Sequence, residues 1–392
     1  MQYQRIMDMA RPYYYECKAR ATKLSTPEVK RGVGIAPMFF IPLGSPKDKA
    51  DAKIELKEDG RFYIYNTYHN MGQGCDIVSL ASTPETLKPL GVTPADIVLD
   101  INDSQDCPNS GISAGSRSHF MNGGALREAG KLLVEAMTKP DGTFRTYAKM
   151  KAEGIPTAYT GHFDIVSQKY VNLDFNSGLG SRQPKPMTGF CVAEVAVNPA
   201  TGKPKVLSIK AWADCGVIAN YLSAEGQAYG GFAQNIGYAY TENYEDVKKH
   251  GNIIAAGLPA IDEVPDQMEV VWLEDQPTKA GPFGSNGLSE CFFGGEHNAF
   301  LNGIHDAVGV RVHELPANPA KIKAGIERLT AGLDPEVPEK YFFGTDFSDE
   351  LDEILANPVP ADWLQRMIAA AMGTAPKKEE KKDAEKAGIV EL

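Results

Sequence analysis

Residues 62–76 read Phe62-Tyr63-Ile64-Tyr65-Asn66-Thr67-Tyr68-His69-Asn70-Met71-Gly72-Gln73-Gly74-Cys75-Asp76. The first seven are rich in aromatic and β-branched side chains, which suit a pleated, half-buried strand. A helix pattern follows Gly74. Between the two lies a glycine loop, where backbone can approach a ligand closely and free N–H groups at the helix start attract anions. Reading outward in both directions, strands are expected at Val33–Ile41, Ala52–Leu56, Phe190–Val197, Lys205–Ala213 and Glu269–Leu273. Helices are expected at Gln2–Thr22, Ser116–Met137, Ser223–Tyr240, Glu296–Asp306 and Pro319–Leu333. Strands and helices mix without a regular βαβ beat and without an internal repeat, so the class is α+β, with mixed sheets and packed helices, rather than a doubly wound parallel sheet.

The chain has 392 residues, 43% hydrophobic and 23% charged, enough for a sizeable core in an ordinary globular protein. Its net charge of −11 argues against a nucleic-acid or anionic-membrane partner. No run approaches the ~20 apolar residues of a membrane span. The start is polar, with Arg5, Arg11, Lys18 and Arg20, and does not read as a signal peptide. Cys17, Cys75, Cys107, Cys191, Cys215 and Cys291 are scattered with no C-x-x-C pair, which speaks against local zinc or iron–sulfur ligand patterns and against a disulfide framework. The compartment reads as reducing and cytoplasmic. Residues 1–30 read as a helical lead-in, 31–334 as the main domain and 335–392 as an extension. The extension holds a helical stretch near Trp363–Met372 and then a charged tail, Pro376–Lys386, with the composition of a disordered segment. Its end, Ile389-Val390-Glu391-Leu392, reads either as a frayed terminus or as a docking peptide.

Three more stretches could carry chemistry. Asn109-Ser110-Gly111-Ile112-Ser113-Ala114-Gly115-Ser116-Arg117-Ser118 opens a helix with small hydroxylated residues, glycines and an arginine that could neutralise a phosphate bidentately. It equally fits an N-cap run with Ser116 as cap and Arg117 at the surface. Glu225-Gly226-Gln227-Ala228-Tyr229-Gly230-Gly231 sets three glycines in one helix, each costing about 1 kcal/mol relative to alanine. Close helix packing or cofactor approach would account for them. Gly281-Pro282-Phe283-Gly284-Ser285-Asn286-Gly287-Leu288-Ser289-Glu290-Cys291 delivers a single carboxylate out of a glycine loop into apolar Phe292-Phe293. A carboxylate so placed could act as a general base, or simply cap a helix.

Taken in order, these stretches resemble the C-terminal half of the molybdenum-binding region of the molybdenum hydroxylases, the xanthine oxidase and aldehyde oxidoreductase family, nearest to the bacterial aldehyde oxidoreductases. Glu242-Asn243-Tyr244-Glu245-Asp246, Ala307-Val308-Gly309-Val310-Arg311 and Leu315-Pro316-Ala317 add to the resemblance, which covers roughly residues 5–330. It implies a molybdopterin cofactor, in bacteria usually the cytosine dinucleotide, whose dithiolene rather than any side chain holds the molybdenum. By position Gly72, Gln73 and Gly74 would line the pterin. Ser113, Ala114, Gly115, Ser116 and Arg117 would hold pterin and pyrophosphate. Gln227 would bond the pterin, Gly287, Leu288 and Ser289 would border it, and Glu290 would be the active-site glutamate.

The implied reaction takes an aldehyde to a carboxylic acid with a water-derived oxygen, hydride going to the metal and electrons on to 2Fe–2S clusters of another chain. The implied partners are a subunit carrying the first half of the molybdenum-binding region, an iron–sulfur subunit or domain, and a small-molecule substrate. Ser289 and Cys291 flank Glu290 where the family commonly has glycine and an apolar residue or proline. Two alternatives therefore stay open: an N-heterocycle hydroxylase subunit, and a non-catalytic structural subunit of such a complex.

Overall fold

The computed structural model describes residues 2–41, 48–99, 103–164, 186–246, 248–278 and 281–335. The expected helix near Trp363–Met372 and the charged tail lie outside the described residues. The chain divides into two compact units, Met1–Glu336 and Val337–Leu392, and every described residue belongs to the first.

In chain order the elements are α1 (Gln2–Leu24), β1 (Lys30–Phe40), β2 (Lys49–Leu56), β3 (Phe62–Tyr65), α2 (Cys75–Leu87), β4 (Ile97–Leu99), α3 (Gly123–Met137), α4 (Tyr147–Ala152), β5 (Ala158–Asp164), β6 (Met187–Val197), β7 (Pro204–Asp214), α5 (Tyr221–Ile236), β8 (Gln267–Trp272), α6 (Glu296–Val308) and α7 (Pro319–Thr330). Two four-stranded sheets result, ordered β1-β6-β7-β8 and β4-β3-β2-β5. Each is mixed: β7–β8 and β3–β4 are parallel pairs and the remaining pairs are antiparallel. The class is α+β, as the irregular order of strands and helices indicates.

In the first sheet β6 is buried along nearly its whole length, because α1 covers one face and α6 the other. A strand covered on both sides reads as a continuous apolar run, as Phe190–Val197 does. Its exception, Glu194, is 2% exposed and is held by Arg20 at 2.9 Å and Arg31 at 3.1 Å. Ile6, Ala10, Cys17 and Ala21 of α1 pack against Val33, Val192 and Trp212, while Phe300 and Ile304 of α6 join Val195, Ile209 and Phe232 on the other side. In the second sheet α3 supplies Leu126, Ala129 and Leu133 to a core with Ile54, Ile64 and Phe163. Both sheets seat their helix directly on strand backbone: a Cβ at Gly34 would meet Ala299 O at 1.9 Å, and one at Gly161 would meet Ala125 O at 2.1 Å.

Some boundaries differ from expectation for local reasons. The Phe62–Tyr68 strand stops at Tyr65, because Asn66 turns the chain by accepting from Tyr68 N–H at 3.1 Å. The helix expected from Ser116 begins as a π-helical turn at Ser118–Asn122, a form frequent at functional sites. The helix expected to reach Tyr240 ends at Ile236, and Gly237–Thr241 continues it as a second π-helical turn.

Candidate active site

The loop after β3, the loop before α3, the start of α5 and the loop before α6 converge on one cavity of about 240 Å³. Of the residues singled out in the sequence, Gln73, Ser113, Ala114, Ser116, Gln227, Gly287, Leu288, Ser289 and Glu290 line it. Gly72, Gly74, Gly115 and Arg117 are not among its lining residues.

Glu290 is fixed by a closed ring of hydrogen bonds. Ser289 Oγ donates to Glu290 Oε2 at 2.8 Å, and Glu290 N–H donates to Ser116 Oγ at 3.1 Å. The two serine hydroxyls lie 2.9 Å apart. Each hydroxyl carries one proton, so Ser116 must donate to Ser289. Ser116 N–H adds a bond to Glu290 Oε1 at 3.0 Å. Both carboxylate oxygens are thus aimed as acceptors. Ser116 adopts φ 54° to make these bonds, a left-handed conformation that non-glycine residues rarely hold without compensation. Gly287 is seated against it, where a Cβ would lie 1.9 Å from Ser116 O. Ser116 therefore serves the glutamate and is not a helix cap.

Arg117 is a correction to the expectation. Its guanidinium is 1% exposed and is turned away from the cavity lining. Nε donates to Asp48 at 2.6 Å, Nη2 to Asp48 and to Lys49 O, and Nη1 to Ile112 O, with the group stacked over Tyr68 at 5.6 Å. A cation so committed holds the loop in shape and has no bidentate face left for a phosphate. Among the described residues, the only formally charged side chain lining the cavity is that of Glu290. What the cavity offers an anion is helix ends. Cys75 opens α2, Ser223 lies in the first turn of α5, and both line it. The partial positive charge of two helix N-termini favours an anionic ligand. Asn220 and Asn286 supply amides, and Gln227 Nε2 donates to Gln73 O at 3.1 Å, tying α5 to the first glycine loop.

His119, which the sequence reading passed over, also lines this cavity. It lies in the π-helical turn, half-buried as a residue but with both ring nitrogens shut off from solvent, and neither ring nitrogen has a partner. Burial pushes its pKa down to about 4, so the ring is neutral, with one donor and one acceptor unmet. Unmet buried polar atoms cost about 1–3 kcal/mol each. A polycyclic, hydrogen-bonding ligand such as a pterin would meet them. The one signal in the sequence was a histidine between Ser118 and Phe120 at the start of an amphipathic helix.

A second cavity of about 360 Å³ lies on the other side of Glu290. Gly226, Gly230, Gln234 and Phe293 line it, together with Gln227, Ser289 and Glu290, which border both cavities. Among the described residues no group of three or more His, Cys, Asp or Glu is placed to hold a metal ion. By acidity alone Glu296, pushed up to about 7 by burial, is the better base, yet it lines neither cavity. Position therefore favours Glu290.

The comparisons with known proteins bear on the family and the fold. The aldehyde oxidoreductase of Megalodesulfovibrio gigas is 38% identical over 318 residues, 81% of this chain and 35% of that protein. The crystal structure of the aldehyde oxidoreductase from Desulfovibrio desulfuricans superposes with a TM-score of 0.77 at 43% identity, over 81% of this chain and 35% of that one. A putative xanthine dehydrogenase molybdenum-binding subunit of Escherichia coli is 25% identical over 75% of this chain and 42% of its own. The chain thus spans about a third of the length of the aldehyde oxidoreductases it matches. The model of the molybdopterin cofactor-binding domain matches residues 9–265, and the chain belongs to that family, the molybdopterin-binding region of the molybdenum hydroxylases.

Proposed function

We propose that this chain is the part of a multi-subunit molybdenum hydroxylase that binds molybdopterin, as the cytosine dinucleotide, and oxidises an aldehyde to a carboxylic acid. The observation that carries the proposal is Glu290, locked by the Ser116–Ser289 ring at the wall between two cavities. We place the pterin in the first cavity and a small substrate in the second. When bound, the cofactor supplies the metal that accepts two electrons from the substrate. The chain's own residues do the rest. Ser113, Gln227 and His119 bond the pterin. The N-termini of α2 and α5 face the pyrophosphate. Glu290 accepts the proton released as oxygen is transferred, with its carboxylate already turned toward the reacting groups.

A general base held by two donors needs no reorientation during turnover. We place the first half of the molybdenum region and the 2Fe–2S clusters on partner chains. Six free, buried cysteines support a reducing compartment, and we place the protein in the cytoplasm. Glu290→Gln, in the assembled, cofactor-loaded enzyme, should lower kcat roughly 10²–10⁴-fold, the range for loss of a general base, with molybdenum content unchanged. Full turnover in that variant would remove Glu290 from the reaction and leave a structural subunit.

A further inference from the structure

Six residues beyond Glu290, α6 opens with a glutamate that the reaction does not use. Glu296 is fully buried. Its Oε2 accepts from Gly295 N–H at 3.1 Å and from Asn235 Nδ2 at 3.2 Å, while Oε1 has no partner. Asn235, near the end of α5, also donates from Nδ2 to Phe292 O at 3.0 Å and to Gly231 O at 2.9 Å. Its Oδ1 accepts from His297 N–H at 3.2 Å and lies 3.1 Å from His297 Nδ1. One carboxyl and one amide thus fasten both ends of the turn Phe292–Gly295 to α5. Glu290 sits just upstream, fastened on its other side by Ser116 and Ser289.

We propose that Glu296 is a positioning residue, which acts with Asn235 to hold the Phe292–Gly295 turn and so keeps Glu290 on its serine ring. This rests on the reading of Glu290 as the base. The titratable groups that face Glu296 are Cys191 from β6 and Cys291 beside Glu290, both held well above the usual thiol range by surroundings that include Glu296 itself. His297 reaches it only through Asn235. Burial raises Glu296 to about 7, so it changes charge near neutrality. The closed turn thus binds the proton more tightly than an opened, solvated turn would, so ionisation favours opening. The clamp therefore loosens as pH rises through 7.

The test compares wild type with Glu296→Gln in the assembled, cofactor-loaded enzyme. The glutamine keeps an acceptor for Gly295 N–H and loses the charge. The decline of kcat that wild type shows as pH rises through 7 should vanish in the variant, so that at pH 8 its kcat exceeds wild type by up to roughly tenfold, with KM and molybdenum content unchanged. Identical pH profiles in the two proteins would overturn the proposal. Hydrogen exchange of the peptide spanning 291–296, corrected for intrinsic rate, reads the clamp without turnover. It should speed up from pH 6 to pH 8 in wild type and not in Glu296→Gln. Exchange that ignores the substitution overturns the clamp whatever the activity. A pH-dependent exchange alongside an active Glu290→Gln enzyme would instead sink the reading of Glu290 as base.

Discussion

Arg117 and Ser116 are adjacent, and both belong to a run whose residue types promised an anion site. Their partners came from far away. Arg117 binds Asp48, 69 residues upstream, and Ser116 binds Glu290, 174 residues downstream. Composition and glycine spacing marked where a loop would meet a ligand. They could not say which side chains of that loop point outward, because that depends on contacts distant in the chain. Hence Gln73, Gln227 and Glu290 were legible from their motifs, whereas the inward turn of Arg117 and the role of His119 were not. Arg117→Met should destabilise the fold by about 3–5 kcal/mol, the cost of leaving Asp48 buried without its partner, as urea unfolding will show. A purely ligand-binding arginine would give no such loss.

At the scale of elements, α5 explains its own glycines. Gly231 packs against the Phe292 turn, where a Cβ would lie 2.4 Å from Phe292 O, whereas Gly226 has open space facing the second cavity. Gly231→Ala must displace backbone and should cost about 1–3 kcal/mol in thermal unfolding. Gly226→Ala should instead stabilise the helix by up to about 1 kcal/mol. Packing, one of the two reasons anticipated for the glycine run, therefore accounts for Gly231, while Gly226 borders open space. The long, strongly patterned elements were readable in advance. β4, three residues long and paired in parallel with β3 across α2, was not, nor was β5, whose Gly161 and His162 break the strand pattern while serving the seat of α3 and a bond to Asp51.

For the molecule as a whole, two groups shifted by burial titrate with opposite effect. Glu296 is raised from 4.5 to about 7, so the folded state holds its proton more tightly than the unfolded chain does. Its contribution to stability is complete below pH 4.5 and is lost as pH rises to 7. His119 is lowered from 6.5 to about 4, so its contribution is complete above pH 6.5 and is lost as pH falls to 4. Each amounts to about 3 kcal/mol at 1.36 kcal/mol per pKa unit. Between pH 4.5 and 6.5 the two slopes cancel. Stability of the cofactor-free chain should be nearly flat there so far as these groups decide it. Glu296→Gln should unmask a rise with pH, and His119→Gln a fall, in chemical denaturation series across that window.

The bond between Ser116 and Glu290 also sets a schedule for the growing chain. At about 5–20 residues per second, the ribosome delivers Glu290 roughly 10–35 s after Ser116. For most of that interval, once β5 has followed, the second sheet can be complete, yet the left-handed turn at Ser116 has nothing to hold it. The Ser116–Glu290 corner is thus among the last features of the unit to be born, and a cofactor offered to the nascent chain before then would find only half a wall.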